Sequence, residues 1–211
     1  MPDDKKRRHD RDATLALFLL GRAAVKQFYD AINDARVDAL TAAVLAAADA
    51  LDVDVSEWEA PDSLLKQMAK ESKVNAQSIV DTYNADATAE AERFAEHYNG
   101  NDLQAALKTD LTQFAKDRAT WKSEQVSLYE SGHGYSAGID TLVGDLLDGS
   151  LDLPDGTTIA DLVVTVNPDA SSNDFCAEYA GNSYPLTEAD NVLGLFPAHQ
   201  NCIHWVSLDF A

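Results

Sequence analysis

Cysteine is nearly absent from this chain of 211 residues; there are two, Cys176 and Cys202. Two thiols allow at most one disulfide and no all-cysteine metal knuckle. No CxxC pair exists, because Tyr179 stands where a second cysteine would follow Cys176. Long apolar runs are missing as well. No uninterrupted stretch approaches the roughly 18 residues that a membrane helix needs, so no membrane span is expected. Positive charge is scarce: 16 Lys and Arg stand against 36 Asp and Glu, for a net charge of −20. Free binding to nucleic acid is disfavoured, since neutralising phosphates requires Lys and Arg. Internal repeats of 20–50 residues are not evident. A basic start precedes the short apolar run Leu15–Leu20, but Arg22 and Lys26 follow quickly and no small-residue cleavage motif stands out. The reading is a charged, flexible N-terminus over 1–11 and a protein made in the cytoplasm.

What is present is carboxylate, alanine and helical periodicity. Abundant Asp with sparse Lys gives a highly soluble surface. It also fits adaptation to a halophilic host, because dense carboxylates repel at low salt and are screened at high salt. Leu15, Phe18, Leu19, Val25 and Phe28 recur at helical spacing, then Val37, Leu40, Val44 and Leu51, with Asp30, Asn33 and Asp34 marking an expected break. Pro61 and Asp62 suit a helix start. One helix or two follow as far as Tyr98, ended by Asn99-Gly100-Asn101. Asp102 is placed to cap the next helix, and another is expected over about 117–131, interrupted by Gly132, Gly134 and Gly138. A last helical stripe, Ile139 to Leu147, closes at Gly149. Beyond it Ile159–Val166, Ser183–Leu186 and Ile203–Leu208 read as short β pieces between Gly, Pro, Ser and Asn. The expected fold is mainly α: a multi-helix body over 12–149 and a small C-terminal β-rich module over 150–211.

That module holds both cysteines and two of the five histidines, with His199 and His204 bracketing Cys202. Three readings apply. Residues two apart on a strand share a face, so Cys202 and His204 can converge with His199 and Cys176 on a tetrahedral zinc ion. A module of about sixty residues with few large apolar groups gains from such a staple. The alternatives are a Cys176–Cys202 disulfide, and two free thiols with the imidazoles satisfied by backbone. A nucleophile–base pair of Cys176 or Cys202 with His199 is a further, catalytic reading, without a glycine-flanked elbow to support it. Elsewhere, Trp58, Trp121 and Trp205 read as core before interface anchors. Glu124 reads as an ion-pair partner of Arg118, His133 as part of a turn between helices, and Lys5–Arg8 as a solvated run.

Two stretches carry a resemblance. The first is Arg118-Ala-Thr-Trp121-Lys-Ser-Glu124, then Tyr129 and Gly132. The second is Thr165-Val-Asn-Pro-Asp169, Asp174-x-Cys176, Gly181-Asn-Ser-Tyr184-Pro185-Leu186 and Pro197-Ala-His199-Gln-Asn201-Cys202-Ile-His204. In order and spacing these resemble the Mu F-like minor head proteins of tailed phages, the phage head morphogenesis family. That family shows Asp-x-x-x-Cys-x-x-Cys, Gly-x-x-Tyr/Phe-Pro and Pro-x-His-Pro-x-Cys-Arg-Cys in turn. This chain departs from the pattern at Tyr179, Gln200 and Ile203-His204, yet keeps four candidate donors. The resemblance implies a non-enzymatic virion protein near the portal vertex, in contact with the portal and major capsid proteins. It implies a role in head assembly or genome delivery, close to packaged DNA without clinging to it. An intracellular zinc-stapled adaptor and a Cys/His-type enzyme are the competing classes.

Overall fold

The computed structural model describes residues 2–167, 174–196 and 206–211; the side chains of residues 2, 3, 120–125, 174, 175, 190 and 191 also lie outside that description. The chain is mainly α with a small antiparallel sheet near its C-terminus. Four helices come first: α1 (Pro2–Leu15), α2 (Arg22–Leu51), α3 (Asp62–His97) and α4 (Leu103–Asp148). Strand β1 (Leu162–Val166), the short helix α5 (Asp174–Tyr179), β2 (Ser183–Pro185) and β3 (Val206–Phe210) follow, with 3-10 turns at Ile159–Asp161 and Leu186–Asn191. The residues group into two compact units: Met1–Ala31 with Lys70–Glu124, and Ile32–Ala69 with Gln125–Ala211.

The first unit is built on Leu15, Ala87, Ala91, Leu107 and Leu111, with Phe18, Tyr83, Phe94 and Phe114 packed around them. Alanines at 87 and 91, one turn apart, give α3 a small-residue stripe there. Helical structure begins at Pro2, not at 12. Arg7 explains how so charged a segment stays helical: its Nη2 donates to the carbonyls of Ala95, at 2.9 Å, and Tyr98. These are carbonyls at the end of α3 that the helix itself leaves unsatisfied. The expected break at 30–34 falls instead at 16–21. There Asn84 replaces helical hydrogen bonds for Leu20, accepting from its N–H at 2.8 Å and donating to its carbonyl at 3.0 Å. At the expected break, Lys26 pairs with Asp30 at 2.6 Å one turn on, and Ile32 is buried, so α2 runs through. Asp102 caps α4 as read, its Oδ1 accepting from Ala105 N–H at 3.0 Å.

The second unit depends on a close crossing of α2 and α4. A Cβ on Gly134 would collide with the backbone carbonyl of Arg36, and one on Gly138 would meet the Leu40 carbonyl at 2.5 Å and Ala43 Cβ at 2.8 Å. Two of the glycines that read as helix interruptions, Gly134 and Gly138, are therefore contact points, and α4 is continuous through all three. Glycine weakens a helix by about 1 kcal/mol per residue, and here the interhelical packing offsets that cost. Past the crossing, α2 lines Ala43, Val44, Ala47, Ala48 and Leu51 against Ile139, Leu142, Val143 and Leu146 of α4. Gly149, at φ 77°, ends α4 in left-handed geometry, and Ser150 N–H reaches back to Asp145 at 2.9 Å. Trp58 donates from its indole to Asp145 at 2.9 Å, fixing the segment after α2.

The sheet has the order β2-β1-β3, with both pairings antiparallel. Leu162, Val164 and Val166 of β1 alternate inward, and Val206 and Leu208 of β3 share that face. All five belong to the same core as α2 and α4. A three-stranded sheet of this size has too little core of its own to stand alone. The sheet borrows one: five side chains at about 1.5–3 kcal/mol each amount to roughly 7–15 kcal/mol of gross apolar stabilisation before chain entropy.

One ion pair is buried in this unit. Arg36 Nε lies 2.5 Å from Glu130 Oε2, with both side chains 4% exposed. Removing one partner leaves an uncompensated charge in the interior. Arg36→Met is expected to destabilise the protein by about 3–5 kcal/mol in chemical denaturation. Arg36→Met combined with Glu130→Leu should recover most of that loss; a double variant as unstable as the single one would show that the pair is not what the arginine contributes.

Candidate functional site

Of the four candidate donors, the described residues include Cys176. It lies on α5, fully buried, in one core with Val164, Val166, Leu186 and Phe196. Its helix is pinned to the end of β1: Gly181 N–H donates to the Val166 carbonyl at 2.9 Å, and Val166 N–H to the Asn182 carbonyl at 3.0 Å. Gly181 makes that turn at φ 77°. His199, Cys202 and His204 lie outside the described residues. Both residues that flank their segment are placed. Phe196 packs edge-on against Tyr179 of α5, with ring centroids 5.8 Å apart, and Val206 sits opposite Val166. Among the described residues, no group of three or more His, Cys, Asp or Glu is arranged to hold a metal ion.

Burial decides one question about Cys176. Its side chain is closed off from solvent, so a substrate in solution does not reach the sulfur. It is a poor nucleophile for an external substrate and a reasonable structural ligand. Tyr179, three residues after Cys176, supplies an aromatic contact to Phe196.

The helical stretch of the resemblance lies in α4. Arg118 pairs with Asp86 of α3 at 2.9 Å and lies over the Phe114 ring, 5.5 Å from its centroid. The expected partner Glu124 has its side chain outside the described residues, as does Trp121. His133 is mid-helix and not in a turn, its ring edge-on to Tyr129 at 4.5 Å. Trp58 is half-buried and packs against the core of its unit, in line with a core role.

A carboxylate pair that the sequence reading did not single out lies between α3 and α4 in the first unit. Glu90 is clasped by Arg93, one turn on, which with smaller contributions holds its carboxyl below the ordinary range. Asp110 moves the other way, raised by burial and by the facing Glu90 carboxylate. Its Oδ2 is buried and no donor reaches it. A proton on Asp110 turns this acceptor–acceptor contact into a hydrogen bond. The Glu90–Arg93 spacing was visible in the sequence; that Asp110 meets Glu90 follows from helix pairing alone.

No family model, curated protein or solved structure matches this chain.

The pair gives a pH dependence with a definite sign. Asp110, raised in the fold, stabilises when protonated, and that contribution is lost as pH rises through its raised value. Glu90, lowered in the fold, contributes above its unfolded value and loses this as pH falls. Melting measured at constant ionic strength from about pH 4 to 7 should show Asp110→Asn gaining on the native protein as pH rises. Parallel curves would remove the shared proton from the account.

Proposed function

We propose that this protein is a non-enzymatic structural component of the head of a tailed virus, made in the host cytoplasm and assembled near the portal vertex. Contact with the portal and major capsid proteins is part of this reading. The observation that carries it is the order of elements in the C-terminal part. The segments that resemble the minor head family fall in turn on the end of β1, on α5, on β2 and on the approach to β3. The burial of Cys176 adds support, because it suits a structural thiol better than a catalytic one. The excess of carboxylates suits a protein that works beside packaged DNA without adhering to it.

The reading includes a metal. Two thiolates and two imidazoles form a donor set suited to tetrahedral zinc. Phe196, just before the 197–205 segment, packs on Tyr179 of α5, the helix that carries Cys176, and Val206, just after it, pairs with Val166 of β1, to whose end α5 is pinned. Cys176, His199, Cys202 and His204 would hold the ion, whose part is to tie that segment to α5; a disulfide and free thiols are the alternatives.

Metal analysis of the purified protein with thiol titration tests the staple. One zinc per chain is expected, with both thiols released on chelation or denaturation. No metal and no titratable thiol would establish the disulfide instead. The viral reading is tested separately, by mass spectrometry of density-purified virions from the source. Peptides of this chain should appear at low copy number with the portal protein. Recovery from the soluble cell fraction alone, with virions lacking it, would favour an intracellular adaptor.

A further inference from the structure

Cations are unevenly placed along this acidic chain. Helix α1 holds five of the sixteen, Lys5, Lys6, Arg7, Arg8 and Arg11, together with four aspartates. The remainder of the chain carries 32 acidic and 11 basic residues. At 100° per residue the five divide by direction. Arg7 and Arg11 share the inward side with Thr14 and Leu15. Arg7 is bound to the carbonyls of Ala95 and Tyr98, and Arg11 to Asp12 at 2.7 Å with Glu92 at 3.9 Å. Lys5, Lys6 and Arg8 point the other way, with His9 between them, over an arc of about 160°. All three are exposed, and none has an ion-pair partner among the described residues. Asp4 and Asp10 flank this face; Asp12 falls within its arc, between Arg8 and Lys5, and is taken up by Arg11 at 2.7 Å.

This departs from how the chain treats several of its other cations. Lys26, Arg36, Lys66, Arg93 and Arg118 each lie against a carboxylate. With acids in more than twofold excess, three neighbouring cations left open on one helix face, while the opposite face is anchored, form a presented surface. We propose that the outer face of α1 docks on an acidic patch of a different protein, one rich in Asp and Glu. Charge complementarity selects the sign of the partner, and geometry selects its kind. Duplex nucleic acid carries a charge about every 1.7 Å along its axis and extends well past a face little more than one helical turn long. The rest of the chain is net negative by 21 charges, which opposes a long phosphate backbone. A carboxylate patch of limited size meets the cations without that conflict. A closed dimer with a second copy through this face is also disfavoured, since two-fold symmetry sets the cations against themselves. The inference goes beyond the viral reading and does not depend on it.

The test uses the full-length protein at the lowest salt at which circular dichroism shows native helix content. Poly-L-glutamate serves as the probe of carboxylate chemistry and a 20-base-pair duplex as the nucleic-acid probe. Poly-L-glutamate should bind, with affinity falling as salt is added. In the triple variant K5E/K6E/R8E its binding should weaken at least about tenfold, as expected for three exposed ion pairs lost together. The altered side chains touch neither the Arg7 nor the Arg11 anchor, so helix content should not change. Absent poly-L-glutamate binding, or equal binding by the variant, would overturn the proposal. Duplex binding as tight as poly-L-glutamate binding and abolished in the variant would overturn it in favour of nucleic acid. An oligomer seen by sedimentation that the variant dissociates would overturn it in favour of a second copy.

Discussion

The close crossing of α2 and α4 in the second unit is the constraint on which the remainder of that unit rests. Two backbones approach where Gly134 and Gly138 present no side chain to Arg36, Leu40 and Ala43. Any larger residue there would force the helices apart, and the row of small and branched side chains beyond the crossing would lose its partner. That row is the surface on which the sheet lies. Leu162, Val164, Val166, Val206 and Leu208 have nowhere else to go, since a three-stranded sheet buries too little surface to stand alone. The position of α5, and with it Cys176, follows from the end of β1. A thiol near the C-terminus is thus located by glycines on a helix forty residues earlier in the chain.

Electrostatics impose a second order on the molecule. A chain with so many carboxylates has to keep them apart, neutralise them or share protons among them. All three solutions are present. Most carboxylates sit in solvent. Glu130 is buried against Arg36, and Glu90 shares its surroundings with Arg93 and a proton-favouring Asp110. The cations are correspondingly employed: Arg7 ends one helix, Arg118 ties α4 to α3, and Lys26 spans what its sequence neighbours suggest is a break. Among the described residues, Lys5, Lys6 and Arg8 of α1 stay open, as do Arg22, Lys70, Lys73 and Lys108, but α1 alone gathers three such cations within four residues.

Some of this was legible from residue types alone. Asp102 as a cap, Gly149 as a stop and a strand within Ile159–Val166, whose first three residues instead form a 3-10 turn, express local rules of geometry that few tertiary contacts overturn. Errors arose where a local rule met a distant partner. Glycine is a helix breaker until another backbone needs the space it leaves, as at Gly134 and Gly138. A helix is expected to continue through Leu17–Leu20 until Asn84 offers Leu20 other hydrogen bonds. Of the candidate Cys/His site, the residue types and their order were legible, as were the strands around them. The burial of Cys176 and the packing of Tyr179 on Phe196 were not, because nothing in the spacing of the motif specifies which core a six-residue helix enters.

The amino-acid sequence by itself determined the mainly α character with a small β part, the acidic balance, the lack of a membrane-length apolar run and the capping residues. Each of these depends on side-chain chemistry and on neighbours within about a turn of helix or a few strand positions. Tertiary structure alone decided that α4 passes unbroken through Gly132, Gly134 and Gly138, that Arg36 meets Glu130 across 94 positions, that Glu90 faces Asp110, and that the sheet shares the helices' core. Those outcomes depend on which surfaces come within a few ångströms of each other. The energy that selects them, apolar burial and the pairing of buried charge, exists only once distant segments have met.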